Sequence, residues 1–103
     1  MYSREGEMDP GITLLGQAYP NPFKDHVIVP VMVEADDTTV ELEVFDLVGK
    51  KVKTMQRHFA TKGIYDFEWR AGDETNRIEA GLLFYRIRMN GLPTQVRRMI
   101  KVN

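Results

Sequence analysis

Side chains able to carry out covalent or acid–base chemistry are scarce in this sequence. There is no cysteine, and Ser3 is the only serine, so nucleophilic catalysis has almost no candidate residue. His26 and His58 have no further histidines or cysteines at the spacing that a metal site needs. Carboxylates are plentiful, but the pairing that glycoside hydrolysis requires cannot be recognised along one acidic strand. We therefore predict no catalytic residue, no metal ligand and no cofactor.

The polar loop Ala71–Ala80 holds hard oxygen ligands of the kind that calcium prefers. Their spacing does not follow the EF-hand pattern, and the sequence contains no glycine-rich phosphate loop. We expect this loop to be solvated rather than to hold an ion.

Opposite charges are separated along the chain. Residues 34–46 contain six carboxylates and no base, whereas residues 85–103 carry only basic charges. The net charge of −1 leaves no overall field that would attract nucleic acid or an anionic membrane. We predict two solvated strand faces that attract each other weakly across the fold.

The first eleven residues have no hydrophobic period and predict a flexible lead. No apolar run has the length of a transmembrane helix, and no secretory signal peptide is visible. We expect residues 1–11 to be a linker and a candidate cleavage region. Residues 12–103 are expected to form a domain from the C-terminal end of a larger protein.

Residues 81–102 predict a terminal β-hairpin. Its first arm has an apolar face with the period of a half-buried strand, formed by Leu83, Tyr85, Ile87 and Met89. The loop Asn90–Pro93 favours chain reversal. Strict alternation in the second arm forms an apolar face from Val96, Arg98, Ile100 and Val102. A β-bulge or an edge position would relieve the burial of the arginine.

The rest of the chain predicts short strands at residues 12–15, 26–33, 38–45, 50–59 and 64–70. The side chains expected in the core are Val27, Val29, Val31, Val33, Val40, Leu42, Val44, Tyr65, Phe67 and Trp69. Those expected to face solvent are Thr39, Glu41 and Glu43. Pro30 lacks a backbone donor, so its strand must be bulged or lie at an edge. The pattern predicts an all-β protein, an immunoglobulin-like β-sandwich of about seven antiparallel strands.

Two connecting segments are predicted to be rigid. The corner Tyr19–Phe23 contains two prolines that restrict themselves and the residues before them. Its two aromatic rings are expected to be buried. In the turn at residues 46–52, we expect Asp46 to accept backbone N–H groups and Gly49 to adopt a positive φ.

Four blocks of the sequence resemble, in the same order, the motifs of type A C-terminal sorting domains of the type IX secretion system (Por secretion system) of Bacteroidota. The first block is residues 15–23 and the second is residues 44–52. The third contains residues 62–65 and Trp69. The closing block contains residues 80–86 and 95–102. The sequence departs from the family pattern in loops or conservative core positions, at Lys24–His26, Arg70–Gly72 and Leu83.

This resemblance implies a non-catalytic β-sandwich at the C-terminal end of a cargo protein. In the family, the cargo enters the periplasm with a separate signal peptide, and the outer-membrane translocon then recognises the folded domain. A surface sortase removes the domain, so the implied partners are translocon, sortase and cargo, and the implied location is the cell surface or outside. The implied recognition residues are Gly81, Tyr85, Arg86, Arg97, Arg98, Met99, Ile100, Lys101 and Val102. The implied structural motif consists of Tyr19, Pro20, Asn21, Pro22, Phe23, Asp46, Gly49, Gly63 and Trp69.

A terminal basic strand suits this role, because a strand with a free edge can pair with the edge of a receptor or of a second copy. A competing interpretation is a binding module, either an accessory immunoglobulin-like domain for sugar or adhesion or a relative of the flagellar hook-capping domain. That interpretation predicts an exposed aromatic patch among Tyr65, Phe67 and Trp69, or around Tyr19 and Phe23.

Overall fold

A computed structural model describes residues 14–75 and 77–103 as two antiparallel β-sheets. The strands in these ranges are β1 (Val27–Val33), β2 (Thr38–Phe45), β3 (Lys51–Phe59), β4 (Gly63–Trp69), β5 (Gly81–Met89), β6 (Leu92–Pro93) and β7 (Arg97–Lys101). A short 3₁₀ turn covers Ala71–Asp73. The predicted lead and residues 12–13 of the predicted first strand lie outside the described residues.

The smaller sheet pairs β1 with β4, and the larger sheet has the order β3-β2-β5. On its other side, β5 pairs with β6 near one end and with β7 near the other. Apolar side chains from both sheets form one core, which confirms the predicted all-β sandwich. Its buried strand residues include Val27, Val29, Val31, Val33, Val40, Leu42, Val44, Phe67, Trp69, Leu83, Tyr85 and Ile87.

Pro30 lies in β1 beside an irregular segment, residues 14–19, rather than beside a regular strand. Its carbonyl accepts a hydrogen bond from the Gly16 amide at 2.8 Å, and the amides of Ile28 and Met32 donate to carbonyls of the same segment. Pro30 has no N–H to donate on this side of β1. The neighbouring segment, residues 14–19, forms no continuous ladder of backbone hydrogen bonds that would require one. A Cβ at Gly16 would lie 2.9 Å from the proline Cγ, so this close approach requires glycine.

The turn between β2 and β3 is held from within by Asp46. Its Oδ1 accepts the backbone N–H of Val48 at 3.1 Å and that of Lys50 at 2.8 Å. Gly49 has a φ of 89°, in the region that favours glycine. Both predictions for this turn are confirmed.

The predicted apolar face of the second hairpin arm is wrong. Met99 is the buried residue of β7, whereas Val96, Ile100 and Val102 are 55%, 45% and 40% exposed. Met99 pairs with Leu83, and paired residues share one face of a sheet. Strict alternation therefore holds in β7, but the face that contains Ile100 is turned to solvent and the opposite face to the core. Arg98 thereby lies on the exposed outer face, so neither the β-bulge nor the edge position considered for it is needed to keep its charge in solvent.

Candidate functional site

The corner at residues 19–23 lies along the outer edge of β7. The Phe23 amide donates to the Ile100 carbonyl at 2.9 Å, and the Val102 amide donates to the Phe23 carbonyl at 2.8 Å. The Ile100 amide donates to Oδ1 of Asn21 at 2.8 Å. The prediction of a free backbone edge is therefore wrong at residues 100–102, where the corner already occupies the position of a partner strand or a second copy.

The corner is anchored at one end and exposed at the other. Phe23 is 1% exposed, and its ring centroid lies 6.0 Å from that of Trp69. Tyr19 is 48% exposed, so the prediction of burial is confirmed for the phenylalanine and wrong for the tyrosine. Tyr19 bridges to Ile28, which alternates with the inward valines of β1 and so faces outward. The Tyr19–Pro20 and Asn21–Pro22 peptide bonds are cis.

Two of the predicted recognition residues hold the segment that precedes the corner. The buried Tyr85 hydroxyl accepts the Ala18 N–H at 2.8 Å and donates to the Gly16 carbonyl at 3.0 Å. Burial raises the pKa of Tyr85, which keeps this hydroxyl protonated as a donor. Nε of Arg97 donates to the Leu15 carbonyl at 2.7 Å. These side chains serve the fold directly, since their polar atoms contact the chain's own backbone.

A second group of predicted residues faces solvent beside the corner. Arg98, Ile100 and Val102 are exposed on β7 and just after it, next to residues 21–23. A shallow depression of about 260 Å³ lies between Asn21, Leu82 and β7. We use the term composite surface for Asn21, Pro22, Arg98, Ile100 and Val102.

The outer face of the larger sheet buries one carboxylate among three bases. The Glu43 side chain is 2% exposed, although it points away from the core. Its Oε1 accepts from Nε of Arg86 at 2.7 Å and of Arg88 at 3.3 Å, and its Oε2 accepts from Nζ of Lys51 at 2.8 Å. The prediction that Glu43 lies on a solvated face is therefore wrong, because long basic side chains from both neighbouring strands cover it.

This arrangement keeps Glu43 ionised. Burial alone would raise the pKa of Glu43, but hydrogen bonds and charge interactions with Lys51 and Arg86 outweigh burial and lower it from 4.5 to about 2. The guanidinium carbon of Arg86 also lies 5.1 Å from the Phe45 ring centroid. The acidic and basic segments thus meet in a specific buried contact rather than through weak attraction across solvent.

Residues 17–102 match the family model described as the secretion system C-terminal sorting domain. The chain belongs to this family. Its role is accordingly that of a sorting signal in type IX secretion, which implies interaction with the secretion machinery and export of a cargo to the cell surface or outside. Domains of this family are non-catalytic in general.

The sorting domain is similar in fold to the crystal structure of dimeric latent PorU from Porphyromonas gingivalis. The TM-score is 0.71 at 18% identity, and the match covers 85% of this chain and 9% of the PorU chain. The sorting domain thus corresponds to a small part of that protein. No curated protein sequence matches the domain significantly.

The aromatic residues of β4 belong to the core of the sorting domain. Phe67 and Trp69 are buried, and Tyr65 stacks on Phe59 with ring centroids 4.1 Å apart. Nε1 of Trp69 donates to Glu74 at 2.9 Å. The exposed platform that a binding module would need does not form on β4. The prediction that these rings lie in the core is confirmed for Phe67 and Trp69, whereas Tyr65 is half-buried and packs against the core.

Of the glycines in the closing and middle blocks, Gly81 has a backbone conformation that favours glycine, whereas the space around Gly63 does not require it. Gly81 begins β5 with a φ of 138°, a backbone conformation that residues with a side chain rarely adopt. Gly81 pairs with Lys101. A Cβ at Gly63 would lie 3.4 Å from the Tyr65 ring, a tight but ordinary contact. Lys101 itself is half-buried and bridges to Phe23.

Within residues 14–75 and 77–103, no three histidine, cysteine or acidic side chains converge on a common point that could hold a metal ion. The same part of the chain contains no helix long and apolar enough to span a membrane. Both histidines are exposed, and Nε2 of His58 lies 2.7 Å from Oδ1 of Asp37.

Reasoning from sequence missed Glu43 and Arg88 as a coupled pair. The signal that would reveal them is cross-strand: Glu43 pairs with Arg86, and Arg88 lies two residues further along the same face of β5. Without the register of β2 against β5, the two charges are merely far apart in sequence.

Proposed function

We propose that this domain directs an attached N-terminal cargo through the outer-membrane translocon, and that the composite surface is what the translocon contacts. A folded body of two sheets holds this surface in place. The contacts are made by exposed side chains of the corner and β7, since the corner occupies the backbone edge of β7 at residues 100–102.

One observation carries this proposal. Asn21 and Ile100 are 79 positions apart, yet the side chain of the first accepts the backbone N–H of the second at 2.8 Å. The first and last blocks of the family pattern therefore form one continuous surface. A receptor that binds the composite surface therefore binds only a domain in which the first and last blocks are folded against each other.

The charge of this surface supports fast encounter with an acidic receptor. Arg98 is exposed on β7, and Arg86 and Arg88 lie on the same outer face of the sheet. Complementary charge across an interface mainly speeds association and selects partners. We infer a translocon component with an acidic contact surface.

We further propose that residues 1–11 form the linker in which a surface sortase cuts, releasing the cargo from residues 12–103. The cargo reaches the translocon from the periplasm. These steps are tested by the molecular mass of the exported cargo. If the domain is removed, the mass of the product should be lower than that of the intact fusion by the mass of the domain.

A reporter protein fused before this domain, in a bacterium with a type IX secretion system, tests the export role. Deleting residues 99–103 should retain the reporter in the periplasm. Because Met99 is buried, that deletion also disturbs folding, so the exposed variants Arg98→Glu and Ile100→Ser are needed. Each variant should reduce the amount of reporter at the cell surface by about tenfold or more, which corresponds to a loss of about 1.4 kcal/mol or more in binding free energy to the translocon.

Matched controls are available on the other parts of the domain. Lys62→Glu makes the same charge change at an exposed position, and Ile64→Ser removes an apolar side chain that is 73% exposed. Both should export normally. Normal export of Arg98→Glu and Ile100→Ser as well would contradict the proposal.

A further inference from the structure

The turn between β2 and β3 presents two adjacent apolar side chains to solvent. Leu47 is 68% exposed and Val48 is 87% exposed. The turn does not need either side chain for its shape, because Asp46 and Gly49 define it through hydrogen bonds and a positive φ. Single exposed apolar residues are ordinary, so what matters is whether these two continue into a larger apolar surface.

They do continue, onto the outer face of the larger sheet. Phe45 and Phe84 are paired across β2 and β5, and both are half-buried. Together with Val96, which is 55% exposed, they line an open groove of about 430 Å³ beside Leu47 and Val48. We call this the turn groove. Exposed apolar side chains that adjoin a groove make this face a candidate contact site.

The charges around the turn groove are unbalanced. Arg86 lines the groove and, with Arg88 and Lys51, surrounds the single carboxylate of Glu43. Glu41 pairs with Arg88 on the same face, and the exposed Arg98 adds a further base, so four bases meet two carboxylates. Asp46 in the groove lining is a third carboxylate, and its Oδ1 accepts two backbone N–H groups. The balance of these groups is a surplus of one positive charge.

We propose that the turn groove binds an extended segment of a partner protein that carries large apolar side chains next to carboxylates. The apolar side chains fit against Phe45, Phe84 and Val96, and the carboxylates pair with the surplus guanidinium charge. This proposal deepens the export role and rests on it, because it describes the chemistry of a receptor segment.

Continuity with the composite surface favours a protein segment over a separate small ligand. Phe84 of the groove pairs with Arg98 of β7, and Leu82 pairs with Ile100 on the same outer face. A single extended segment can therefore follow the face from the turn to β7. Its apolar groups would lie in the groove, and its acidic groups would lie near Arg86 and Arg98.

A peptide titration of the full chain tests the groove itself. The probe is a hexapeptide with two central phenylalanines flanked by glutamates. Its binding is monitored through the methyl NMR signals of Leu47, Val48 and Val96. These signals should shift saturably, whereas the Ile64 methyl signals should not. Replacing the glutamates by lysines, or the phenylalanines by serines, should weaken binding by about tenfold or more.

The double variant Leu47→Ser, Val48→Ser provides the second readout. It should fold normally, because both side chains are exposed, but it should lose about tenfold or more in peptide affinity and in surface export. The variant Ile64→Ser is the control for removing an exposed apolar group. Absence of saturable shifts with the acidic peptide overturns the groove proposal, as does normal peptide affinity of the double variant.

The remaining outcomes separate the groove proposal from the export role. If the unaltered fusion and the double variant are exported equally, the groove is not a receptor site, and the export role of the domain is retained. Retention of the unaltered fusion overturns the export role, and the groove is then judged by the titration. Preferential binding of phosphatidylglycerol vesicles, or self-association abolished by the double variant, would replace the proposed segment by a lipid surface or a second copy.

Discussion

β5 and β7 lie side by side in the larger sheet and carry similar apolar and basic residues, but the fold uses them differently. In β5, Leu83, Tyr85 and Ile87 are at most 3% exposed, and the arginines of this strand bind a buried carboxylate. In β7, Met99 is the one buried residue. Neighbouring strands of similar composition thus have different roles. β5 stabilises the core of the domain, and β7 exposes side chains to solvent.

The first prediction tests this difference with a matched pair of isoleucines. Ile87→Ala in β5 removes methyl groups from the core and should lower the free energy of unfolding by about 2–5 kcal/mol. Ile100→Ala in β7 should change it by no more than about 0.5 kcal/mol, because the side chain is 45% exposed. Urea unfolding of both variants measures the difference, and equal losses would break the comparison.

The second prediction concerns acid and the arginines of β5. Because the pKa of Glu43 is lowered to about 2 in the fold, the folded state binds this proton less readily than the unfolded chain. The associated stability is present above the ordinary pKa of 4.5 and is lost as the pH falls toward 2. The loss should be about 3 kcal/mol.

Urea unfolding at several pH values between about 5 and 2 measures this loss. The variant Glu43→Gln should lack this component of the pH dependence, while Glu41→Gln, on a partly exposed side chain of the same strand, should retain it. An unchanged acid response in Glu43→Gln would show that other carboxylates dominate.

The third prediction sharpens the structural role of Tyr85. Removing its hydroxyl in Tyr85→Phe leaves the buried Ala18 N–H and the Gly16 carbonyl without their partner. We expect a loss of about 1–3 kcal/mol and faster hydrogen exchange at Ala18. Unchanged exchange at that amide would argue against the hydroxyl as the anchor of this segment. Tyr65→Phe is the control, since its hydroxyl bonds to an exposed loop carbonyl.

The smallest expected effect belongs to Arg98. Arg98→Ala should change the free energy of unfolding by no more than about 0.5 kcal/mol, because the residue is exposed on β7. Arg97→Ala should cost more, since Nε of Arg97 donates to the Leu15 carbonyl at 2.7 Å. Thermal unfolding of the two variants checks this order. A larger loss for Arg98→Ala would place it among the residues that hold the fold.

Much of the body was predictable from local patterns. The inward faces of β1, β2, β4 and β5 follow from strict alternation of large apolar residues. The turn at Asp46 follows from an acceptor side chain and a glycine at suitable spacing. Prediction failed at Tyr19, whose exposure depends on pairing with Ile28, and in the second hairpin arm, where pairing of Met99 with Leu83 turns the opposite face to the core.

The candidate site was predictable only in part. Residues of the closing block were recognised from their family pattern, but the pattern does not separate Tyr85 and Arg97, which bond to the chain's own backbone, from Arg98 and Ile100, which face solvent. Burial makes that separation, and burial is a property of the packed sheets. The turn groove was not recognised because its lining comes from three separate segments.

The sequence alone determined the all-β class, most strand positions, the Asp46 turn and membership of the sorting-domain family, because each depends on short-range periodicity or on local motifs. Only the tertiary structure decided that Glu43 is buried, that Met99 rather than Ile100 faces the core, and that residues 21–23 cover the edge of β7. Each of these outcomes depends on the pairing of segments far apart in the chain, where register, rather than residue type, determines which side chains share a face.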